Sequence, residues 1–299
     1  MLERSYLAIA GKNTPLMSDT RYQRIDLHTH STASDGKLSP TELVQLAHQQ
    51  EVQMLALTDH DTTAGLNEAK GVATSLGMTL VNGCELSVAW KKIPLHMVAL
   101  GFDDDCSVMA KWTQHNQTVR LERGRQIADL LKKKGLPDLF DKAVEEAGES
   151  QLGRPHFAKV MMREGIVKDM NKAFDHYLGN KKLGQIRDVW PQLEEIMPEL
   201  AAANCELVLA HPKRYPLTVT KLKAIMQDFK ALGGDAIEVA SGNERPDYVR
   251  FLERLSRDFE FKASAGSDFH GPFGPWTQVG RFTQVHEQEI SPIWYQWQV

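Results

Sequence analysis

The sequence predicts an α/β protein in which short buried strands alternate with amphipathic helices, interrupted once by a mainly helical insert. Three observations carry this prediction. Apolar or β-prone runs at 54–58, 207–210 and 261–265 stop abruptly at polar residues. Segments of helical spacing follow several of these runs. Between about 104 and 187 the strand signal gives way to long helical periodicity.

The first unit reads Arg-Ile-Asp-Leu-His-Thr-His-Ser-Thr-Ala-Ser-Asp-Gly over 24–36. Strand side chains alternate, so His28 and His30 point one way while Ile25, Leu27 and Thr29 point the other. Asp35 is released in the turn that follows. Ser39-Pro40-Thr41-Glu42 has the capping-box pattern with proline at the first helical position, and Leu43, Leu46 and Ala47 continue at helical spacing. A second strand over 54–58 runs into Asp59-His60-Asp61, and a helix near 64–76 ends at Gly77. Leu80-Val81-Asn82-Gly83-Cys84 leads into Glu85 in the same way, and His96 lies inside the apolar run 94–100. After the insert, strand 207–210 delivers His211. Helix 218–232, strand 236–240, helix 246–258 and strand 261–265 follow, and the last delivers Asp268 and His270. Such alternation predicts a parallel sheet with right-handed crossovers.

Each of these polar groups stands at or beside a buried strand, and in barrels of alternating strands and helices the carboxyl ends of strands build the active site. A lone His-x-His would describe one interior and one surface histidine equally well. Here six of the 11 histidines join Asp35, Glu85 and Asp268 at such positions. Nine nitrogen and oxygen donors without a thiolate suit a multinuclear centre of divalent cations, with manganese, iron, zinc and magnesium all compatible. Clustered cations activate water and neutralise charge on a phosphoryl group, so phosphate ester hydrolysis is the expected reaction. Asp59 and Asp61, flanking His60, read as loop caps that orient the histidine.

Within the insert, helices near 108–134, 156–164 and 169–178 are separated by Gly135-Leu136-Pro137 and bounded by Gly179. Arg120, Arg123, Arg125, Lys132, Lys133 and Lys134 read as the solvated face of an amphipathic helix, or as part of a lid over the substrate. At 299 residues and 42% hydrophobic, the chain suffices for one large domain or a domain with an insert. Its net charge of −4 excludes a global basic field, so stable duplex DNA binding is not expected and any nucleic-acid contact is local. Three cysteines in no close metal-type spacing suit reduced thiols and a cytoplasmic location. No stretch approaches the ~18 apolar residues of a membrane span. Residues 1–20 read as a flexible extension, with Met17 an alternative start.

Taken in order, His-x-His…Ser-Asp-Gly, Thr-Asp-His-Asp, Gly-x-Glu, a strand histidine, Ala-His-Pro and Gly-Ser-Asp-x-His resemble the PHP (polymerase and histidinol phosphatase) superfamily over about 26–102 and 206–270. The Ser-Asp-Gly form, Gly-Arg-Pro-His and His-Pro-Lys-Arg are similar to its branch of 3′,5′-nucleoside bisphosphate phosphatases and 5′-to-3′ exoribonucleases. The resemblance implies an irregular seven-stranded (β/α) barrel in two parts, 21–103 and 188–299, around a helical insert at 104–187 that serves as a substrate lid. It implies three divalent ions, Mn2+ foremost. His28, His30, Glu85 and Asp268 would hold one, Glu85 would bridge to a second held by His96 and His211, and Asp35, His60 and His270 would hold the third.

The nucleophile implied is a metal-bound hydroxide, with no attacking protein side chain. The substrates implied are nucleoside 3′,5′-bisphosphates, losing the 3′-phosphate, and 5′ ends of short single-stranded 5′-phosphorylated RNA. Guanidinium forks pair bidentately with phosphate, which makes Arg154 and Arg214 the candidate clamps. Arg214 lies three residues after His211, whereas Arg154 rests on the resemblance. His156 joins them or caps a helix. Trp90, beside Lys91 and Lys92, reads as packing or as a surface for a base. A histidinol-phosphate-type phosphatase, an amidohydrolase and a noncatalytic scaffold are the alternatives. Asp35, Glu85, His96 and His270 favour phosphoester chemistry over an amidohydrolase, and nine filled ligand positions argue against a scaffold.

Overall fold

The computed structural model describes residues 24–148, 150–179, 182, 183, 186 and 190–297. The expected extension over 1–20 and the start at Met17 lie outside them. Seven strands form one sheet in chain order: β1 (Ile25–Asp26), β2 (Met54–Leu57), β3 (Thr79–Trp90), β4 (Ile93–Leu100), β5 (Glu206–Leu209), β6 (Ala236–Ser241) and β7 (Lys262–Gly266). The sheet curls until β7 returns to β1, where Leu27 N–H donates to the Ala265 carbonyl at 3.2 Å and Asp268 N–H to the His28 carbonyl at 2.9 Å. The result is a nearly closed barrel. Gly266 permits this seam, because a Cβ there would stand 2.4 Å from the Cβ of His28.

The expectation of a wholly parallel sheet is corrected at β4, which runs antiparallel to both β3 and β5 while the remaining neighbours are parallel. The cause is the Lys91-Lys92 turn, with φ of 45° and 69°, which joins β3 and β4 as a hairpin. Two left-handed residues match the twist of a hairpin, and they are far too few for the crossover a parallel partner needs. The hairpin also extends β3. Glu85 therefore sits in mid-strand rather than beyond a strand end, and Ser87 pairs with His96.

Helices α1 (Pro40–Gln49) and α2 (Leu66–Ser75) follow β1 and β2, and α7 (Leu193–Ala202), α8 (Val219–Ala231) and α9 (Pro246–Asp258) flank the later strands. The capping box forms as its pattern requires: Ser39 Oγ accepts from Glu42 N–H at 3.2 Å and Glu42 Oε2 from Ser39 N–H at 2.8 Å. Strand alternation divides the core. Leu55 and Leu57 join Leu43, Leu86, Met97, Phe229 and Leu252 beneath the helices, whereas Met54 and Ala56 join Leu27, Val98, Val208 and Ala265 on the inner face, closed off by Trp294. Burying each large aliphatic side chain stabilises the fold by roughly 1.5–3 kcal/mol.

The segment between β4 and β5 contains α3 (Ser107–Lys133), α4 (Phe140–Ala147), α5 (Arg154–Arg163) and α6 (Met170–Ala173), the last continuing as a π-turn over Phe174–Leu178. Ile127, Leu131, Leu139, Phe157, Met161 and Leu178 form a separate cluster here. Helix α3 belongs to both layers, since Met109 and Trp112 near its start pack into the outer cluster of the barrel.

Candidate metal centre

The loop after β1 is folded by Asp59. Its carboxylate accepts from Ser31 N–H at 2.8 Å, Ser31 Oγ at 2.6 Å and Ser34 Oγ at 2.6 Å. Chain direction then reverses at Gly36, where a Cβ would stand 2.4 Å from the His30 carbonyl oxygen. This tight return brings Asp35 back toward the strand ends. Its Oδ1 lies 3.3 Å from His270 Nε2 and 4.0 Å from His30 Nδ1, and its Oδ2 lies 3.9 Å from His60 Nε2.

Glu85 is fully buried at the centre. Its Oε1 lies 2.7 Å from both His96 Nδ1 and His211 Nε2. Its Oε2 lies 3.1 Å from His28 Nε2 and His60 Nδ1, and 3.2 Å from His30 Nε2. Asp268 Oδ1 stands 3.3 Å from His30 Nε2, 3.4 Å from His270 Nδ1 and 3.7 Å from His28 Nε2. All nine residues read from the sequence as ligands thus converge. Among the described residues, donor atoms within 4.8 Å of one another fall into four overlapping sets: His30, Asp35, His60 and His270; His28, Glu85 and His211; His28, His30 and Asp268; and His60, Glu85 and His96.

Two of the nine hold left-handed backbone, His211 at φ 28° and Asp268 at φ 52°, and so does Asp61 at φ 52°. Each such residue costs on the order of 1–3 kcal/mol and persists only where its surroundings over-determine it. Glu238 of β6 supplies part of that determination. Its Oε2 accepts from His211 N–H at 2.6 Å, while its Oε1 lies 3.1 Å from His28 Nδ1, which leaves His28 Nε2 facing the cluster. Sequence reasoning missed Glu238. The available signal was a carboxylate inside the apolar run Ala236-Ile237-Glu238-Val239-Ala240.

Charge is tightly coupled here. Burial alone would depress His28 and His30, but Glu238, Glu85 and Asp268 push His28 well above its ordinary value, and the close approach of the Asp268 and Glu85 carboxylates raises His30 to about 10. Burial holds His60 down at about 3. Despite burial, the surrounding histidines hold Glu85 and Asp268 well below the usual carboxylate range, with Arg214 assisting at Asp268. Among the described residues, His28 Nε2, both ring nitrogens of His30, Asp35 Oδ1, His60 Nδ1, Glu85 Oε2, His211 Nδ1 and Asp268 Oδ1 are buried without a hydrogen-bond partner. An unsatisfied buried polar atom costs about 1–3 kcal/mol. Hard and borderline divalent cations would remove that cost, so the donor set fits a metal centre.

Above the centre opens a cleft of about 720 Å³, onto which Asp35, His60, His96 and His211 face. Arg120, Arg123, Arg154, Phe174, Trp190, Arg214 and Tyr215 also line it. Arg154 lies 5.7 Å from the centre of the Phe174 ring, and its NH1 donates to the Leu178 carbonyl at 3.3 Å. Arg214 pairs with Asp268 Oδ2, which ties it to the metal centre. His156 does not line the cleft. Its Nδ1 accepts from Gly153 N–H at 3.0 Å at the start of α5, and its Nε2 lies 3.3 Å from Ser150 Oγ. Both ring nitrogens are engaged within the segment between β4 and β5, as the helix-cap alternative requires. Trp90 is buried and donates from Nε1 to Asp228 Oδ2 at 2.8 Å, which makes it a packing residue.

Reading the α3 arginines as a solvated face is corrected for two of them. Asn116, Arg120, Arg123 and Ile127 fall on one helical stripe, and that stripe turns inward. Arg120 Nε donates to Asp61 Oδ2 at 2.6 Å, and its guanidinium lies 5.4 Å from the Trp190 ring centre. Arg123 lies 5.8 Å from the same ring centre, and its Nε is buried without a hydrogen-bond partner among the described residues. Burial, followed by repulsion from Arg154 and Arg120, pushes Arg123 down to about 10. Only Arg125 remains outside, near Asp138 and Asp141.

The PHP domain family matches residues 26–176. A 5′-3′ exoribonuclease of Haemophilus influenzae is 37% identical over 272 residues, covering 91% of this chain and 98% of the relative. A 3′,5′-nucleoside bisphosphate phosphatase of Chromobacterium violaceum is 37% identical over 270 residues, covering 90% and 93%. Similar in structure is a protein of C. violaceum described as an amidohydrolase and solved with bound sulfate and no metal, with a TM-score of 0.81, 36% identity and coverage of 91% and 95%. Sequence match, shared architecture and the converging histidines and carboxylates agree, and the chain belongs to the PHP domain family.

Proposed function

We propose that this protein is a metal-dependent phosphoesterase that releases the 3′-phosphate of nucleoside 3′,5′-bisphosphates and removes nucleotides from the 5′ end of short 5′-phosphorylated RNA. One observation carries the reading: the nine-donor centre opens through Asp35, His60, His96 and His211 onto a cleft that Arg120, Arg123 and Arg154 also line. A substrate with two phosphates meets both. Names of two relatives, a bisphosphate phosphatase and an exoribonuclease, support the same substrate class.

The centre would hold three divalent ions, Mn2+ foremost, through His28, His30, Glu85 and Asp268, through Glu85, His96 and His211, and through Asp35, His60 and His270. When bound, such ions supply Lewis-acid activation of water and neutralise charge developing on the phosphoryl group. The chain's own residues do the rest. Glu238 fixes the orientation of His28, and Glu85 touches both sides of the cluster. Arg123 and Arg154 receive the remote phosphate, and Trp190 and Phe174 offer apolar faces to the nucleoside. Neither serine lining the cleft is suited to attack, because Ser34 Oγ donates to Asp59 and Ser87 Oγ to Asp61.

The insert, 104–187, acts as a lid that admits one terminal nucleotide and excludes a duplex end. Three unbridged cysteines suit a cytoplasmic enzyme. Histidinol phosphate carries no second phosphate for the arginines, and an amide substrate needs none of them. Metal-reconstituted protein should therefore hydrolyse adenosine 3′,5′-bisphosphate far faster than histidinol phosphate, and should degrade a 5′-phosphorylated oligoribonucleotide stepwise from that end. Equal rates on the two small phosphates, or internal cuts in the RNA, would overturn the proposal.

A further inference from the structure

The loop after His270 reads Gly-Pro-Phe-Gly-Pro-Trp-Thr-Gln-Val-Gly over 271–280. It is pinned along its length. The His270 carbonyl accepts from Lys37 N–H at 2.9 Å, the Trp276 carbonyl from Asn243 Nδ2 at 2.6 Å, and Asp26 Oδ2 from Gly280 N–H at 2.7 Å. Two prolines restrict it further. Nevertheless it presents Phe273 at 53% and Trp276 at 63% exposure. Single exposed apolar residues are ordinary on protein surfaces. Two aromatic rings held in water by a constrained loop, three and six residues beyond a candidate ligand, are a different matter.

A cation accompanies the first of these rings: Lys37 Nζ lies 5.0 Å from the centre of the Phe273 ring. Neither Lys37 nor Phe273 lines the arginine cleft. They follow two candidate ligands closely along the chain, Lys37 two residues after Asp35 and Phe273 three after His270, and Lys37 N–H donates to the His270 carbonyl at 2.9 Å. Aromatic faces beside cations are the combination that binds single-stranded nucleic acid without regard to sequence, the rings taking bases and the cations the phosphates.

We propose that Phe273 and Trp276, with Lys37, form a stacking platform for the nucleotides on the 3′ side of the bond cleaved in single-stranded RNA. The inference rests on the RNA reading above and goes beyond it. A nucleoside bisphosphate has nothing to lay on this surface, whereas an oligonucleotide does, so the platform sets preference for chain length.

The test compares Phe273→Ala, Trp276→Ala and the double variant with the unaltered protein, on adenosine 3′,5′-bisphosphate and on 5′-phosphorylated oligoribonucleotides of increasing length. Each single variant should keep kcat/KM on the bisphosphate within about twofold and lose about five- to a hundredfold on the longer oligomers, the span expected for one stacked base. Trp276→Phe should restore most of the loss. Oligomers with abasic positions downstream of the first nucleotide should abolish the difference between variant and parent. Equal loss on both substrate classes, or no loss on oligomers, would overturn the platform. Bisphosphate hydrolysis without any RNA cleavage by the parent protein would overturn it too while leaving the phosphatase reading intact.

Discussion

Asp61, one residue from the candidate ligand His60, holds Arg120 rather than facing the metal centre: its Oδ2 lies 2.6 Å from Arg120 Nε. The same carboxylate accepts from Ser87 N–H at 2.7 Å and Asn116 Nδ2 at 2.6 Å. Despite its burial, Arg120 and these donors hold Asp61 below the usual carboxylate range. Arg120 is thereby matched from within the chain, and its role is to tie α3 to the loop that carries His60.

Removing Asp61 should therefore cost stability and substrate binding together. Breaking a buried ion pair from one side typically costs about 3–5 kcal/mol, because the remaining charge stays desolvated. Asp61→Ala should fall within that range in denaturant unfolding and should retain its metal content. A loss below about 0.5 kcal/mol, the range of ordinary surface substitutions, would refute the structural role given to the pair.

Arg123→Ala should reduce kcat/KM on adenosine 3′,5′-bisphosphate by about ten- to a hundredfold, the usual worth of a charge-assisted hydrogen bond, and should barely affect an aryl phosphate. Arg154→Ala should behave similarly. Arg214→Ala should instead impair both substrates, since Arg214 pairs with Asp268 in the metal centre. Steady-state kinetics on the two substrates separate these patterns, and uniform losses across all three variants would remove the distinction between subsite and centre.

Glu85→Gln should lower metal content at more than one position, because Glu85 Oε1 serves His96 and His211 while Oε2 serves His28, His30 and His60. A neutral amide is a poor bridging ligand. Glu238→Gln should have the milder effect of about a 10–100-fold loss in metal affinity through the orientation of His28. Elemental analysis after dialysis against graded chelator resolves the two, and unchanged stoichiometry in Glu85→Gln would exclude a bridge.

Metal loading should release protons at neutral pH. His30 is raised to about 10 in the metal-free protein, so near pH 7 it carries a proton that coordination must displace. Its sign is fixed: affinity rises with pH until that proton is lost spontaneously, and falls as pH drops. In the metal-free fold the same raised value contributes stability that is complete below the unfolded histidine value and vanishes as pH rises through about 10. Calorimetric titration in buffers of different ionisation enthalpy measures the release, and a buffer-independent heat at pH 7 would contradict it.

The candidate centre was unusually legible because its ligands carry their own signal. A histidine or carboxylate placed by the period-two geometry of a strand, next to a residue such as Gly36 or Gly266 that allows close chain approach, identifies itself locally. Glu85 and His96 identify themselves in the same way, His96 inside its strand as the apolar run predicts and Glu85 in mid-strand rather than beyond a strand end. The arginine subsite was less legible. Arg120 and Arg123 resemble any basic helical face until the partner that covers them is known, whereas His156 looks like a substrate contact until Gly153 and Ser150 are seen to engage it.

The sequence by itself determined the α/β alternation, the helix start at Ser39 and the nine candidate donors on or beside strands, since each depends on neighbours within a few residues. Only the tertiary structure decided that β4 reverses, that Glu238 orients His28, and that Arg120 and Arg123 face inward toward Trp190. Those features depend on pairs as distant as His28 and Glu238. Closure of the barrel and packing of the helices between β4 and β5 bring them together, and no local periodicity records which buried charge will meet which partner.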